Sequence, residues 1–175
     1  VVTLEGETFA GNFKYDDLEG YGIKVSPNGT RYEGEYKEGV AHGQGKLTMI
    51  NGDVYVGQFE EDQRHGNGEM TFKNGDIYSG EWQLGLQSGY GEFTNSIGEK
   101  YTGEFKDGLY NGIGTFINQA GDRYIGNWSN GNTTIAPNGD ATYLYAPTTI
   151  GVSSGKWYSE HMITGGNGYG MLGAI

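Results

Sequence analysis

The chain has 175 residues, among them 34 glycines, only 3 prolines, 14% aromatic side chains and no cysteine. Glycine without a Gly-X-Y period excludes a collagen-like chain, and so many aromatics exclude a disordered linker. The formal charge of −11 argues against non-specific binding to nucleic acid or anionic lipid, and the missing cysteines exclude disulfides and thiolate chemistry.

Residues 1–8 read as the end of an earlier hairpin or a cap. From Phe9 onward the chain repeats. Phe9, Tyr32, Tyr55, Tyr78, Tyr101 and Tyr124 follow one another at intervals of 23 residues. Two residues after each stands a glycine (Gly11, Gly34, Gly57, Gly80, Gly103 and Gly126), and two further on a second aromatic (Phe13, Tyr36, Phe59, Trp82, Phe105 and Trp128). Period-2 alternation makes this stretch a strand whose aromatics and central glycine share one face, while Glu35, Glu81 and Glu104 point to the other.

A glycine pair such as Gly43 and Gly45, or Gly66 and Gly68, is expected to open a second strand. That strand carries Leu47, Met70, Phe93 or Phe116 to cover the aromatic face. Asn51-Gly52 and Asn74-Gly75 predict hairpin turns of type I′, in which both central residues need positive φ. Glycine within a strand costs roughly 0.5–1 kcal/mol relative to alanine. The expected compensation is space, because bare backbone lets a ring lie flat over it, and burying that ring returns about 1.5–3 kcal/mol. One hairpin alone is marginal, so stacked hairpins sharing an aromatic seam are expected to stabilise one another.

The unit Tyr32-Glu33-Gly34-Glu35-Tyr36-Lys37-Glu38-Gly39-Val40-Ala41-His42-Gly43-Gln44-Gly45 resembles the MORN repeat. The resemblance implies an all-β fold: an elongated single-layer ladder of antiparallel β-hairpins, built from 23-residue repeats. The array is expected over residues 9–137, with five full units and one degenerate. The sixth unit starts at Tyr124, Gly126 and Trp128 and then breaks down, with Ile135 and Pro137 where paired glycines belong.

Residues 138–175 are expected to form a short β-rich extension, an incomplete sandwich. The string Gly151-Val152-Ser153-Ser154-Gly155-Lys156-Trp157-Tyr158-Ser159-Glu160 resembles the opening strands of SPRY-like sandwiches, including those of phage virion proteins. Gly168 to Ile175 reads as a further strand.

Chemistry is scarce. The sequence has no HExxH, GxSxG or phosphate-loop motif. His42 and His65 share one repeat position and are expected to support their own turns, and no third ligand recurs with them. Asn51-Gly52-Asp53, Asn74-Gly75-Asp76, Gly121-Asp122 and Asn138-Gly139-Asp140 resemble fragments of calcium loops, but turn chemistry accounts for the same residues. The expectation is therefore no catalytic residue, no cofactor and no metal, with the aromatics and glycines above as structural residues. An alternative use of the aromatic row is as a stacking platform for carbohydrate.

MORN resemblance implies a scaffold for protein–protein contacts. Its partners would be other proteins, neighbouring subunits or copies of itself, not nucleic acid. Membrane lipid is not expected, because Lys37, Arg64, Lys100, Lys106 and Arg123 are scattered among acids. Two contexts follow. One is a structural component of a large assembly, such as a phage virion, tail or fibre appendage. The other is a soluble or membrane-peripheral adaptor in the cytoplasm.

Overall fold

The structure is a computed structural model and describes residues 2–4, 6–134, 142–146 and 158–163, with side chains described over 6–131. Thirteen strands form one sheet, and their spatial order is their order in sequence. They are β1 (Val2–Leu4), β2 (Glu7–Lys14), β3 (Asp17–Val25), β4 (Arg31–Lys37), β5 (Val40–Thr48), β6 (Val54–Glu60) and β7 (Gln63–Thr71). The sheet continues through β8 (Ile77–Gln83), β9 (Leu86–Thr94), β10 (Lys100–Lys106), β11 (Leu109–Ile117), β12 (Arg123–Ser129) and β13 (Asn132–Thr134). Every neighbouring pair in it is antiparallel. No helix occurs among the described residues.

Two kinds of connection alternate. Within each unit the two strands are joined by a two-residue turn in which both residues take positive φ, for example Glu38 and Gly39 at 51° and 81°, or Leu84 and Gly85 at 50° and 78°. These are the tight primed turns whose twist suits antiparallel strands. Between units the chain makes a wider loop. In Met49–Asp53, Gly52 has a φ of 96° while Asn51 stays out of the positive region. The Gly52 amide donates to the Met49 carbonyl at 3.0 Å, and the Met49 amide to the Asp53 carbonyl at 2.9 Å. The expectation of type I′ turns at Asn51-Gly52 and Asn74-Gly75 is thus corrected: those glycines serve the wide loops. The tight turns sit at the other end of each unit, where Glu38, Glu61 and Leu84 gave no such signal.

The second strand also begins earlier than expected. It starts at Val40, Gln63, Leu86 and Leu109, so the glycine pair lies inside it and forms a bulge. In the β4–β5 pair, Gly34 faces Gly45 and Tyr36 faces Ala41, so Glu35 alone stands opposite His42, Gly43 and Gln44. The same slip recurs after Gly57, Gly80 and Gly103. Gly66, at the bulge of β7, has a φ of 55°, a conformation that side chains resist.

The remaining glycines align. Gly11, Gly22, Gly34, Gly45, Gly57, Gly68, Gly80, Gly91, Gly103, Gly114 and Gly126 face one another in register from β2 to β12. They make a strip of bare backbone running across the strands, and the core lies along it.

A separate antiparallel pair, β14 (Thr142–Ala146) and β15 (Tyr158–Ile163), forms a two-stranded sheet. The expected sandwich segment Gly151–Trp157, the strand from Gly168 and the breakdown at Ile135 and Pro137 lie outside the described residues.

Candidate interaction surface

The two faces of the sheet differ in kind. On the inner face, the first aromatic of each central unit lies over the glycine strip. A Cβ placed on Gly91 would sit 2.6 Å from the Tyr78 Oη and 2.8 Å from its Cε2, and one on Gly45 would meet Tyr32 at 2.5 Å. Tyr55 and Tyr101 stand in the same relation to Gly68 and Gly114. Each hydroxyl donates to a carbonyl in the bulge: Tyr32 to Glu35 at 2.9 Å, Tyr55 to Gln58 at 2.9 Å, Tyr78 to Glu81 at 2.8 Å and Tyr101 to Glu104 at 3.1 Å. A bulge interrupts the ladder, and the phenol supplies the donor that the broken register withholds. Burial raises the pKa of all four tyrosines, that of Tyr55 to about 12.

The second aromatics wedge between these tyrosines. Tyr36, Tyr32, Phe59, Tyr55, Trp82, Tyr78, Phe105, Tyr101 and Trp128 form an unbroken chain of edge-to-face contacts. Their centroids are 4.8–5.3 Å apart, with interplanar angles of 78–88°. Each such contact is worth about 0.5–1.5 kcal/mol beyond burial. Trp82 adds an indole N–H donated to the Gly68 carbonyl at 3.0 Å. Tyr55, Tyr78 and Tyr101 are fully buried, which leaves no open ring face for a sugar to stack on. The carbohydrate alternative therefore finds no platform in these three units.

Not every repeat aromatic joins this chain. Phe13 is 41% exposed. Phe9 carries the Lys24 ammonium over its ring at 5.4 Å, and in its unit Leu18 covers the strip, with Cδ2 3.0 and 3.2 Å from where Cβ atoms of Gly11 and Gly22 would lie. Tyr124 stacks on Phe116 at 6.2 Å, and among the described residues nothing covers Gly126 within 4 Å.

One inner-face row escaped the sequence reading: Leu18, Ala41, Arg64, Gln87 and Tyr110, opposite Phe13, Tyr36, Phe59, Trp82 and Phe105. Arg64 lays its guanidinium over Trp82 at 4.6 Å and donates to the Gly85 carbonyl at 2.6 Å. Tyr110 stacks on Tyr101 with centroids 3.7 Å apart. The 23-residue interval could have located the row, but its members share no chemistry.

The acidic loops turn inward on their own backbone. Asp53 accepts from the Lys73 amide at 2.9 Å and from Asn51 Nδ2 at 2.7 Å, and Asp76 accepts from the Ser96 amide and Asn74 Nδ2, both at 2.8 Å. These carboxylates stitch one loop to the next. Among the described residues no group of three or more His, Cys, Asp or Glu could hold a metal ion. His65 Nδ1 lies 3.3 Å from a Glu60 oxygen, beside the turn of its own unit.

The outer face carries the alternating polar residues, with Glu33, Lys46, Val56, Glu69, Ser79, Glu92 and Thr102 in one row. Tyr21, Tyr90 and Ile113 stand exposed in the next row. Across the central units the inner face is closed by its own rings, and the outer face stands in solvent.

Five consecutive stretches, residues 9–31, 32–54, 55–77, 78–100 and 101–123, match the family described as MORN repeat. The match ends at Arg123, the first residue of β12, and the β12–β13 hairpin continues the sheet with Tyr124, Gly126 and Trp128 of the pattern. No curated protein matches the chain.

Proposed function

We propose, because this chain belongs to the MORN repeat family, that it is a non-catalytic scaffold mediating protein–protein contacts within a larger assembly. The repeats of this family are β-hairpin units without enzymatic chemistry, and they generally serve protein or membrane interaction. The observation that carries the proposal is the division of the faces. The repeat aromatics of the central units are consumed in holding the ladder together, and a solvated, mostly polar sheet face that exposes Tyr21, Tyr90 and Ile113 is left for a partner.

Protein is favoured over membrane. Lys24, Arg31 and Lys100 are each tied to a carboxylate at 3.0, 2.8 and 2.8 Å, and Arg64 is stacked on Trp82. A polybasic surface patch, the usual device for anionic lipid, is missing among the described side chains. Negligible binding to phosphoinositide vesicles at physiological salt is expected in a flotation assay, and tight binding would reverse the ranking. The narrower reading as a virion, tail or fibre component draws no support from the family match, and most of the segment on which it rests lies outside the described residues.

The test is the sedimentation of the native protein from its source, without tags. Migration with larger, protein-containing species supports the scaffold. A free monomer under all conditions contradicts it.

A further inference from the structure

On the outer face the glycine strip becomes the floor of a shallow groove. Gly57, Gly68, Gly80 and Gly91 form its base, and the outward rows on either side form its walls. The groove holds about 600 Å³ and is open along its length, so it encloses no small molecule as a buried pocket would. It reaches from Gln44 on β5 to Thr102 on β10. Five strand spacings make that about 24 Å, the length of roughly seven extended residues.

Two apolar side chains project into it, Val56 at 52% and Tyr90 at 59% exposure. The walls are otherwise polar and acidic, with Glu69 and Glu92 lining the groove; Glu81, in register beside Asn67, lies outside the lining and accepts from the Tyr90 amide at 3.0 Å. Glu92 has a partner in Lys100 at 2.8 Å, and Glu69 has no ion-pair partner among the described residues. Lys46 faces Val56 in the same row and leaves the balance negative. The strands beneath are paired on both sides, so a ligand docks by side chains and not by extending the sheet.

We propose that this groove binds a cationic, extended polypeptide segment of about seven residues lying across the strands. Its basic side chains meet Glu69 and Glu92, and its apolar ones rest against Val56 and Tyr90. The inference deepens the scaffold reading and rests on it. Charge complementarity selects this occupant: nucleic acid and anionic lipid meet like charge here, and the net charge of −11 opposes a second copy.

The test uses the full chain and a labelled, end-capped peptide of alternating lysine and leucine, about nine residues long so as to overhang the groove. Fluorescence anisotropy at physiological salt should show saturable binding. Glu69→Arg and Tyr90→Ala, both on the outer face, should each weaken it by about tenfold or more, with circular dichroism confirming the fold. Glu61→Arg, the same charge change in an exposed turn, should leave affinity within about twofold. Three results would overturn the proposal: no saturable binding, equal loss with Glu61→Arg and Glu69→Arg, or equal binding of a glutamate–leucine peptide. A chain that dimerises until Ser79→Arg is introduced would give the groove to a second copy and equally overturn it. If native assemblies persist with Glu69→Arg, the scaffold reading survives and the groove is not its contact. If the peptide binds while the native chain is always a free monomer, the groove stands and the assembly reading fails.

Discussion

At the scale of the residue, the recurring event is a tyrosine laid across two glycines with its hydroxyl turned into a bulge. The ring excludes water from bare backbone, and the hydroxyl meets a carbonyl that the interrupted ladder leaves without its regular donor. Tyr78→Phe keeps the ring and removes a 2.8 Å hydrogen bond to Glu81, so it should cost about 1–2 kcal/mol in chemical denaturation. The same burial makes the fold sensitive to alkali. Tyrosine in the unfolded chain ionises near pH 10, whereas burial pushes the folded phenols up, that of Tyr55 to about 12. Between those values the folded state binds more protons, so stability is fully present below about pH 10 and falls as pH rises towards about 12. A pH series of melting curves, read beside tyrosinate absorbance, should place the loss in that window; an unchanged Tm across it would contradict the burial. The pairing of aromatic with glycine was legible from spacing alone. The role of the hydroxyl was not, because its acceptor exists only once the bulge has formed.

At the scale of the element, the unit is a hairpin with a tight turn at one end and a wide loop at the other. Asn-Gly marked the wrong end, because the glycine of the wide loop also needs positive φ and the asparagine beside it binds its own loop. The Asp53 amide reaches the Asn51 side chain at 3.0 Å. The tight turns instead place Leu84 at a φ of 50°, although it is 71% exposed. A left-handed backbone costs such a residue about 1–2 kcal/mol, and asparagine tolerates it better. Leu84→Asn should therefore stabilise the chain by about 0.5–1 kcal/mol and raise Tm by about 1–3 °C. An unchanged or lower Tm would mean that the leucine packs in a way its exposure conceals. Bulges of this kind are hard to foresee, since a Gly-x-Gly pair reads equally well as a strand start.

At the scale of the whole molecule, these units add into one thirteen-stranded sheet whose order never departs from the sequence. Neighbouring units are held by strand pairing, by the ring chain, and by amides reaching back one unit, such as Gly85 to the Arg64 carbonyl at 3.0 Å. The regularity made the ladder legible. The outer groove was not, because its walls come from residues on six strands. The pattern also fades towards both ends, where Leu18 replaces a ring and, among the described residues, nothing covers Gly126. That fading supplies the most direct test of the account. Gly80 and Gly126 share one repeat position; a Cβ on Gly80 would lie 2.6 Å from the Gly91 Cα and 2.7 Å from the Tyr78 Oη, while one on Gly126 meets nothing within 4 Å among the described residues. Equilibrium denaturation of Gly80→Ala beside Gly126→Ala should show a loss of roughly 1–3 kcal/mol for the first and within about 0.5 kcal/mol of no change for the second. Equal effects at the two positions would contradict the claim that rings over bare glycine hold this ladder together.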